Sequence, residues 1–313
     1  MGDRRAVRPR AAVGAIAAVT LLLAACGPGD DDAGPDGPPA STSVGAAATP
    51  LPEPVQEIEI DATEYTFTMR PDPAGGLAPG WTLLRFHNAG DEAHQVMFAR
   101  LKDGVDMAEL AAAGEGDSSG SGAIEFVDMI GGVSYIGPDQ DTTALVDLTE
   151  GTVIAMCYVP DAHGVAHALM GMTTLLTVSA PSGGGSADVE PLDEEVLGTI
   201  ELAPDGYHLP DDLRTGWYRV ANTDTALHEL SLLRLGEPID EDGVARVVDD
   251  LAANRTPEVE LEAVGGMGAI SAGFDGYLYL DLAPGDYLAV DFMPDPGDPR
   301  PHLLDGYHAG FSV

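Results

Sequence analysis

The chain has 313 residues and carries 52 Asp and Glu against 14 Lys and Arg, a formal net charge of −38. So acidic a surface is repelled by nucleic acid and by anionic lipid, which excludes polyanions as partners. The length suits about two domains of ordinary size.

In chain order, Arg4, Arg5, Arg8 and Arg10 precede an apolar run over 11–23 that is too short and too Ala-rich for a membrane span. The run closes on Leu23, Ala24, Ala25 and Cys26, which resembles a bacterial lipobox, whose Cys becomes the lipidated first residue of the mature protein. The expectation is a lipoprotein signal peptide over 1–26 and a lipid anchor at Cys26. That would hold the chain at the extracytoplasmic face of the cell membrane. Residues 27–54 are Gly, Pro, Asp, Ala and Ser with almost no large apolar side chain, and they read as a disordered tether. A first domain is expected over 55–180, a Ser/Gly-rich linker over 181–193 and a second domain over 194–313.

Within the first domain, short β-type runs fall at 58–69, 82–87, 143–148, 153–159 and 173–178, separated by turn residues. This spacing predicts a sandwich or barrel of antiparallel strands. One segment, 105–113, has Met107, Leu110 and Ala111 at helical spacing and predicts a short helical insertion packed on the sandwich, with 241–253 as its counterpart.

The two domains repeat one another. Asn88 and His94 match Asn222 and His228, Gly131 and Gly132 match Gly265 and Gly266, and Asp147 and Gly151 match Asp281 and Gly285, all at one offset of 134 positions. A constant offset over that distance marks a duplication.

Of the two cysteines, Cys26 is assigned to the lipid, which leaves Cys157 without a partner. An unpaired thiol on the oxidising side of a membrane is a liability unless it is buried or ligating. Downstream of Cys157 stand His163, His167, Met170 and Met172, and upstream His94 follows the Asn88 turn. This order resembles the plastocyanin and azurin family, the cupredoxins. The resemblance implies an all-β chain of two tandem Greek-key β-sandwich domains, each with a short helical insertion. It also implies one type 1 copper ion in the first domain, held by His94, Cys157, His167 and Met172. The interval from Cys157 to His167 is longer than in plastocyanin, so His163 stays open as the substitute for His167. Two imidazoles and a thiolate with a weak thioether suit both copper oxidation states. The implied activity is electron transfer or copper carriage with a redox or surface protein partner. A metal-free cell-surface binding or scaffold module on the same fold is the alternative.

In the second domain the corresponding positions are His228, Asp291, His302 and Tyr307, a degenerate set without a thiolate. It reads as a hydrogen-bonded Asp–His cluster or as a site for a hard divalent ion. Enzymes built from tandem cupredoxin repeats place histidines beside the type 1 Cys and in His-x-His pairs. Cys157 is flanked by Met156 and Tyr158 and no His-x-His pair exists, so the expectation is a protein that is not an enzyme.

Overall fold

The structure, a computed structural model, describes residues 49–113, 121–180, 189 and 191–313. The signal segment, Cys26, most of the expected tether and most of the expected linker lie outside the described residues. Among the described residues no helix is long and apolar enough to cross a membrane.

The first repeat runs β1 (Thr49–Pro50), β2 (Gln56–Thr63), β3 (Thr66–Arg70), β4 (Gly80–Asn88), β5 (His94–Leu101), α1 (Met107–Ala113), β6 (Val127–Ile136), β7 (Asp141–Leu148), β8 (Gly151–Met156) and β9 (Thr173–Val178). The second runs β10 (Glu195–Ala203), β11 (Gly206–His208), β12 (Gly216–Asn222), β13 (His228–Leu235), α2 (Glu241–Ala252), β14 (Leu261–Ile270), β15 (Asp275–Leu280), β16 (Asp286–Val290) and β17 (His308–Ser312). Each repeat contributes half of two facing sheets. One sheet has the order β1-β10-β12-β15-β7-β4-β2-β3 with β11 beside β10, and the other β17-β16-β13-β14-β6-β5-β8-β9.

Strands alternate in burial where one face meets the core and the other meets water. In β2, Ile58, Ile60 and Ala62 are buried while their neighbours are not. β5 and β13 are buried along nearly their whole length, because α1 or α2 and the loops cover their outer faces. The expected antiparallel pattern holds except at β2–β4 and β10–β12, which pair in parallel. The long run expected over 58–69 is a hairpin that turns at Glu64 and Tyr65.

The sheets are continuous across the repeats. β6 pairs with β14 and β7 with β15, both antiparallel, and Val133 lies opposite its own counterpart Met267, as Ala144 lies opposite Leu278. The halves therefore meet as an isologous pair, each covering the edge strands the other would leave open. Ser134 Oγ and Ser231 Oγ share a buried hydrogen bond of 2.6 Å across this seam. The chain also crosses it at its start, where Thr49 and Pro50 pair with β10 and Leu51 packs with Trp217. The last residues of the expected tether thus belong to the fold.

The helical insertions differ. α2 buries Val247 and Val248 and is capped by the Asp240 carboxylate, which accepts from Gly243 N at 2.8 Å. α1 buries no residue and leaves Met107 exposed, so the expected packing of that insertion is only partial. Gly132 and Gly266 sit at positive φ where β6 and β14 bulge, and a Cβ at either would collide with the carbonyl of Val96 or Leu230.

Candidate metal centre

His94 opens β5 because Asn88, the last residue of β4, holds the intervening turn. The buried Asn88 side chain donates to Glu92 O at 2.8 Å and to Ile136 O at 3.0 Å, and accepts from Gly90 N at 3.0 Å. Cys157 directly follows β8. Its N–H donates to Met172 O at 3.2 Å and its carbonyl accepts from Ala168 N at 2.7 Å, which folds the loop between them back onto the strand. His167 starts a single 3-10 turn, His167–Met170, and Gly171 ends it at φ 108°, a left-handed conformation that glycine adopts without strain. The reversal places Met172 beside Cys157 in one buried cluster.

The three donors converge. Cys157 Sγ lies 4.0 Å from His94 Nδ1 and 3.5 Å from His167 Nδ1, and the two Nδ1 atoms are 3.1 Å apart. The centre of that triangle is roughly 2 Å from each corner, within the range of metal–nitrogen and metal–sulfur bonds. All three side chains, and Met172, are fully buried. His163 is exposed, its N–H donating to Asp161 Oδ1, and it stands outside the group.

The surroundings favour the ligating forms. Burial, and after it the neighbouring His167, holds His94 below the usual histidine range; burial does the same to His167. The Nε2 atoms face carboxylates, His94 toward Glu64 at 3.5 Å and His167 toward Glu92 at 3.1 Å, although neither contact has hydrogen-bond alignment. A carboxylate on that side favours the Nε2–H tautomer and leaves the Nδ1 lone pair directed at the centre. Glu64 is itself fixed by the turn, accepting from Asp91 N and Glu92 N. Tyr65 stacks edge-on against His167 with ring centroids 4.8 Å apart. Burial pushes the Cys157 thiol up to about 11, so at neutral pH a thiolate there needs a bound cation. Two neutral imidazoles, a dry thiol and a buried thioether form a donor set that fits copper.

The second repeat builds the same frame around different chemistry. Asn222 donates to Ala226 O and Ile270 O, both at 2.8 Å, and accepts from Asp224 N at 2.9 Å, so the turn before His228 copies the one before His94. Asp291, fully buried, takes the place of Cys157. One of its oxygens, Oδ2, meets His228 Nδ1 at 2.7 Å and His302 Nδ1 at 3.1 Å, while Oδ1 accepts from Met293 N at 2.8 Å. Tyr307 stacks on His228 at 3.9 Å and 12°, and its hydroxyl turns away to donate to Ala203 O at 2.5 Å. Asp224 Oδ2 sits 3.0 Å from His228 Nε2, and Asp295 Oδ1 lies 3.5 Å from His302 Nε2.

Each repeat thus has a cupredoxin fold. No family model matches the chain, and no curated protein matches it. Among solved structures it is similar to the dithionite-reduced auracyanin of Roseiflexus castenholzii, with 18% identity over 41% of this chain and 99% of that one and a TM-score of 0.28. It is also similar to the blue copper oxidase of Nitrosomonas europaea, with 14% identity over 82% of this chain and 85% of that one and a TM-score of 0.25. A third is the copper-containing nitrite reductase of Thermus scotoductus, with 10% identity over 78% and 66% and a TM-score of 0.23. Two of these three are enzymes, which overturns the expectation that the chain is not one. That expectation rested on histidines beside Cys157 and on His-x-His pairs, tests blind to ligands brought together from distant strands. The group of His228, Asp291 and His302 is assembled in that way.

Sequence reasoning did not single out Glu64, Tyr65, Glu92, Asp224 or Asp295. Asp295 had a signal, since it stands at the common offset from Asp161. The others act through turns whose geometry has no sequence motif. The remaining histidines serve locally: His87 pairs with Asp141 at 3.0 Å, His208 lies between Glu201 and Asp205, and His308 contacts Leu303 O.

Proposed function

We propose that the first repeat is a type 1 copper centre that exchanges electrons, carried on a chain anchored through Cys26 to the extracytoplasmic face of the cell membrane. The observation that supports this reading best is the buried triangle of His94 Nδ1, Cys157 Sγ and His167 Nδ1. Copper bound there supplies a one-electron couple. The residues do the rest: the imidazoles and Cys157 enforce a near-trigonal set suited to both oxidation states, and Met172 offers the weak fourth donor. The charges of Glu64 and Glu92 favour the proton of each ring on Nε2. Complete burial excludes water, and strands on both sides restrict movement of the donors. The partner is a redox or surface protein reached across the aqueous face, and the acidic surface favours one with a basic docking patch.

Replacing Cys157 by Ser abolishes the intense visible band of the copper-loaded protein, whereas His163→Ala leaves it unchanged. Retention of the band in the Cys157 variant would refute the centre. For the anchor, Cys26→Ala moves the protein from the membrane fraction to the soluble fraction; an unchanged membrane fraction would refute the lipid attachment.

A further inference from the structure

We propose that the second repeat is also a cation site, in which His228 Nδ1, Asp291 Oδ2 and His302 Nδ1 hold a divalent ion of the zinc or cupric class. The three side chains are buried and their donor atoms lie within 4.8 Å of one another. They reach the centre from the start of β13, the end of β16 and the turn before β17, the same three places that supply His94, Cys157 and His167. Both imidazoles again turn Nδ1 inward.

The hydrogen-bonding arithmetic around His228 points to a cation. Its Nδ1 lies 2.7 Å from Asp291 Oδ2 and its Nε2 lies 3.0 Å from Asp224 Oδ2. A carboxylate only accepts, and a neutral imidazole has one N–H to give. One of these two contacts therefore brings two acceptors together, unless the ring is cationic or a metal ion lies on its Nδ1 side. His302 repeats the pattern more loosely, with Asp291 at Nδ1 and Asp295 at Nε2. With an ion on the Nδ1 side, both rings donate Nε2–H outward to Asp224 and Asp295, the carboxylate–histidine–metal arrangement that fixes ring orientation. Across a tetrahedral ion the ligand atoms would stand roughly 3.3 Å apart, so loading opens the Asp291 contacts to His302 and His228 by roughly 0.2 and 0.6 Å. The negative charge of Asp224, Asp291 and Asp295 favours a divalent ion. A hard carboxylate in place of the soft thiolate disfavours Cu(I), so this site holds its ion without cycling it.

This inference does not depend on copper in the first repeat. The test loads the full chain separately with Zn²⁺ and with Cu²⁺, removes free metal and counts bound ions by mass spectrometry. The wild type retains one ion in the second repeat, beside any held in the first. Asp291→Asn and His302→Gln each lose one and keep any visible band that the wild type shows, while Cys157→Ser keeps the ion of the second repeat. In the Cys157→Ser chain, Zn²⁺ raises Tm by several degrees over chelator-treated protein, and adding Asp291→Asn removes most of that rise. A wild type that retains the same number of ions as Asp291→Asn, together with an equal Zn²⁺ shift of Tm in both Cys157→Ser backgrounds, would overturn the site and leave a purely hydrogen-bonded cluster. A wild type that shows no visible band but retains the second ion would instead count against the copper centre alone.

Discussion

The two repeats keep one frame and exchange its contents. Asn88 and Asn222 make the same three hydrogen bonds, Gly132 and Gly266 the same bulge, and Gly171 and Gly306 the same left-handed end to a 3-10 turn. At the centre, however, a buried thiol that no charged group contacts becomes a buried carboxylate held by two histidines. Backbone geometry therefore survives a change of chemistry, because it is set by turns and bulges outside the centre. What one atom decides is the state of the site. Sulfur leaves the first repeat a neutral thiol that becomes a thiolate only with a bound soft metal, whereas oxygen lets the second rest on hydrogen bonds or accept a harder ion.

The sharpest way to break the contrast is Asp291→Cys, which gives the second repeat the two imidazoles and the thiolate of the first, with Tyr307 still in place of the thioether. Copper loading then produces a second thiolate band, and total visible absorbance roughly doubles over the wild type if each site follows the same chemistry. An unchanged spectrum would show that the frames are not interchangeable. Next in size is removal of the carboxylate. Asp291→Ala strands His228 and His302 and costs about 3–5 kcal/mol in metal-free protein. Cys157→Ala removes only a small apolar group and costs about 1–2 kcal/mol, and chemical denaturation with chelator present separates the two. The shared turn predicts equality instead: Asn88→Ala and Asn222→Ala each cost about 1–3 kcal/mol, because each leaves buried carbonyls unsatisfied.

Position 95 and its counterpart 229 sharpen the comparison through pH. Gln95 does not titrate, but burial and then the charge of Asp291 raise the Glu229 carboxyl to about 8. A group with a raised folded-state value stabilises fully below its ordinary range and loses that contribution as pH rises through the folded value. The Glu229 contribution to the stability of metal-free protein accordingly falls between pH 5 and pH 8, and Glu229→Gln removes that fall, measured by denaturation of both proteins across the range. The smallest effect falls on Tyr307→Phe, which removes the hydrogen bond to Ala203 O at a cost of about 1 kcal/mol and leaves the stacking on His228 in place.

Much of this was legible in the sequence because duplication supplied an internal alignment. The offset of 134 positions pairs His94 with His228 and Cys157 with Asp291, and those residues occupy equivalent places in the structure. The last strand, 173–178, and the first insertion were readable from local pattern, and the second insertion followed as the counterpart of the first. The β6 strand was not, because Gly131 and Gly132 interrupt its apolar run. The seam between the repeats was equally hidden. Val133 and Met267 look like ordinary core residues, and only tertiary pairing turns two sandwiches into two continuous sheets. The parallel pairs β2–β4 and β10–β12 escaped for the same reason, since strand polarity is a property of the connection and not of the strand. At the site, the donors announced themselves by residue type. The carboxylates behind them did not, because an acidic residue among so many carries no signal until its position is known.

The account stands most directly on the visible absorption and EPR spectra of the chain freed of residues 1–26 and loaded with Cu(II). The predicted result is an intense thiolate-to-copper band with narrow copper hyperfine splitting, lost in Cys157→Ser. A colourless protein that retains no copper in the first repeat would contradict it.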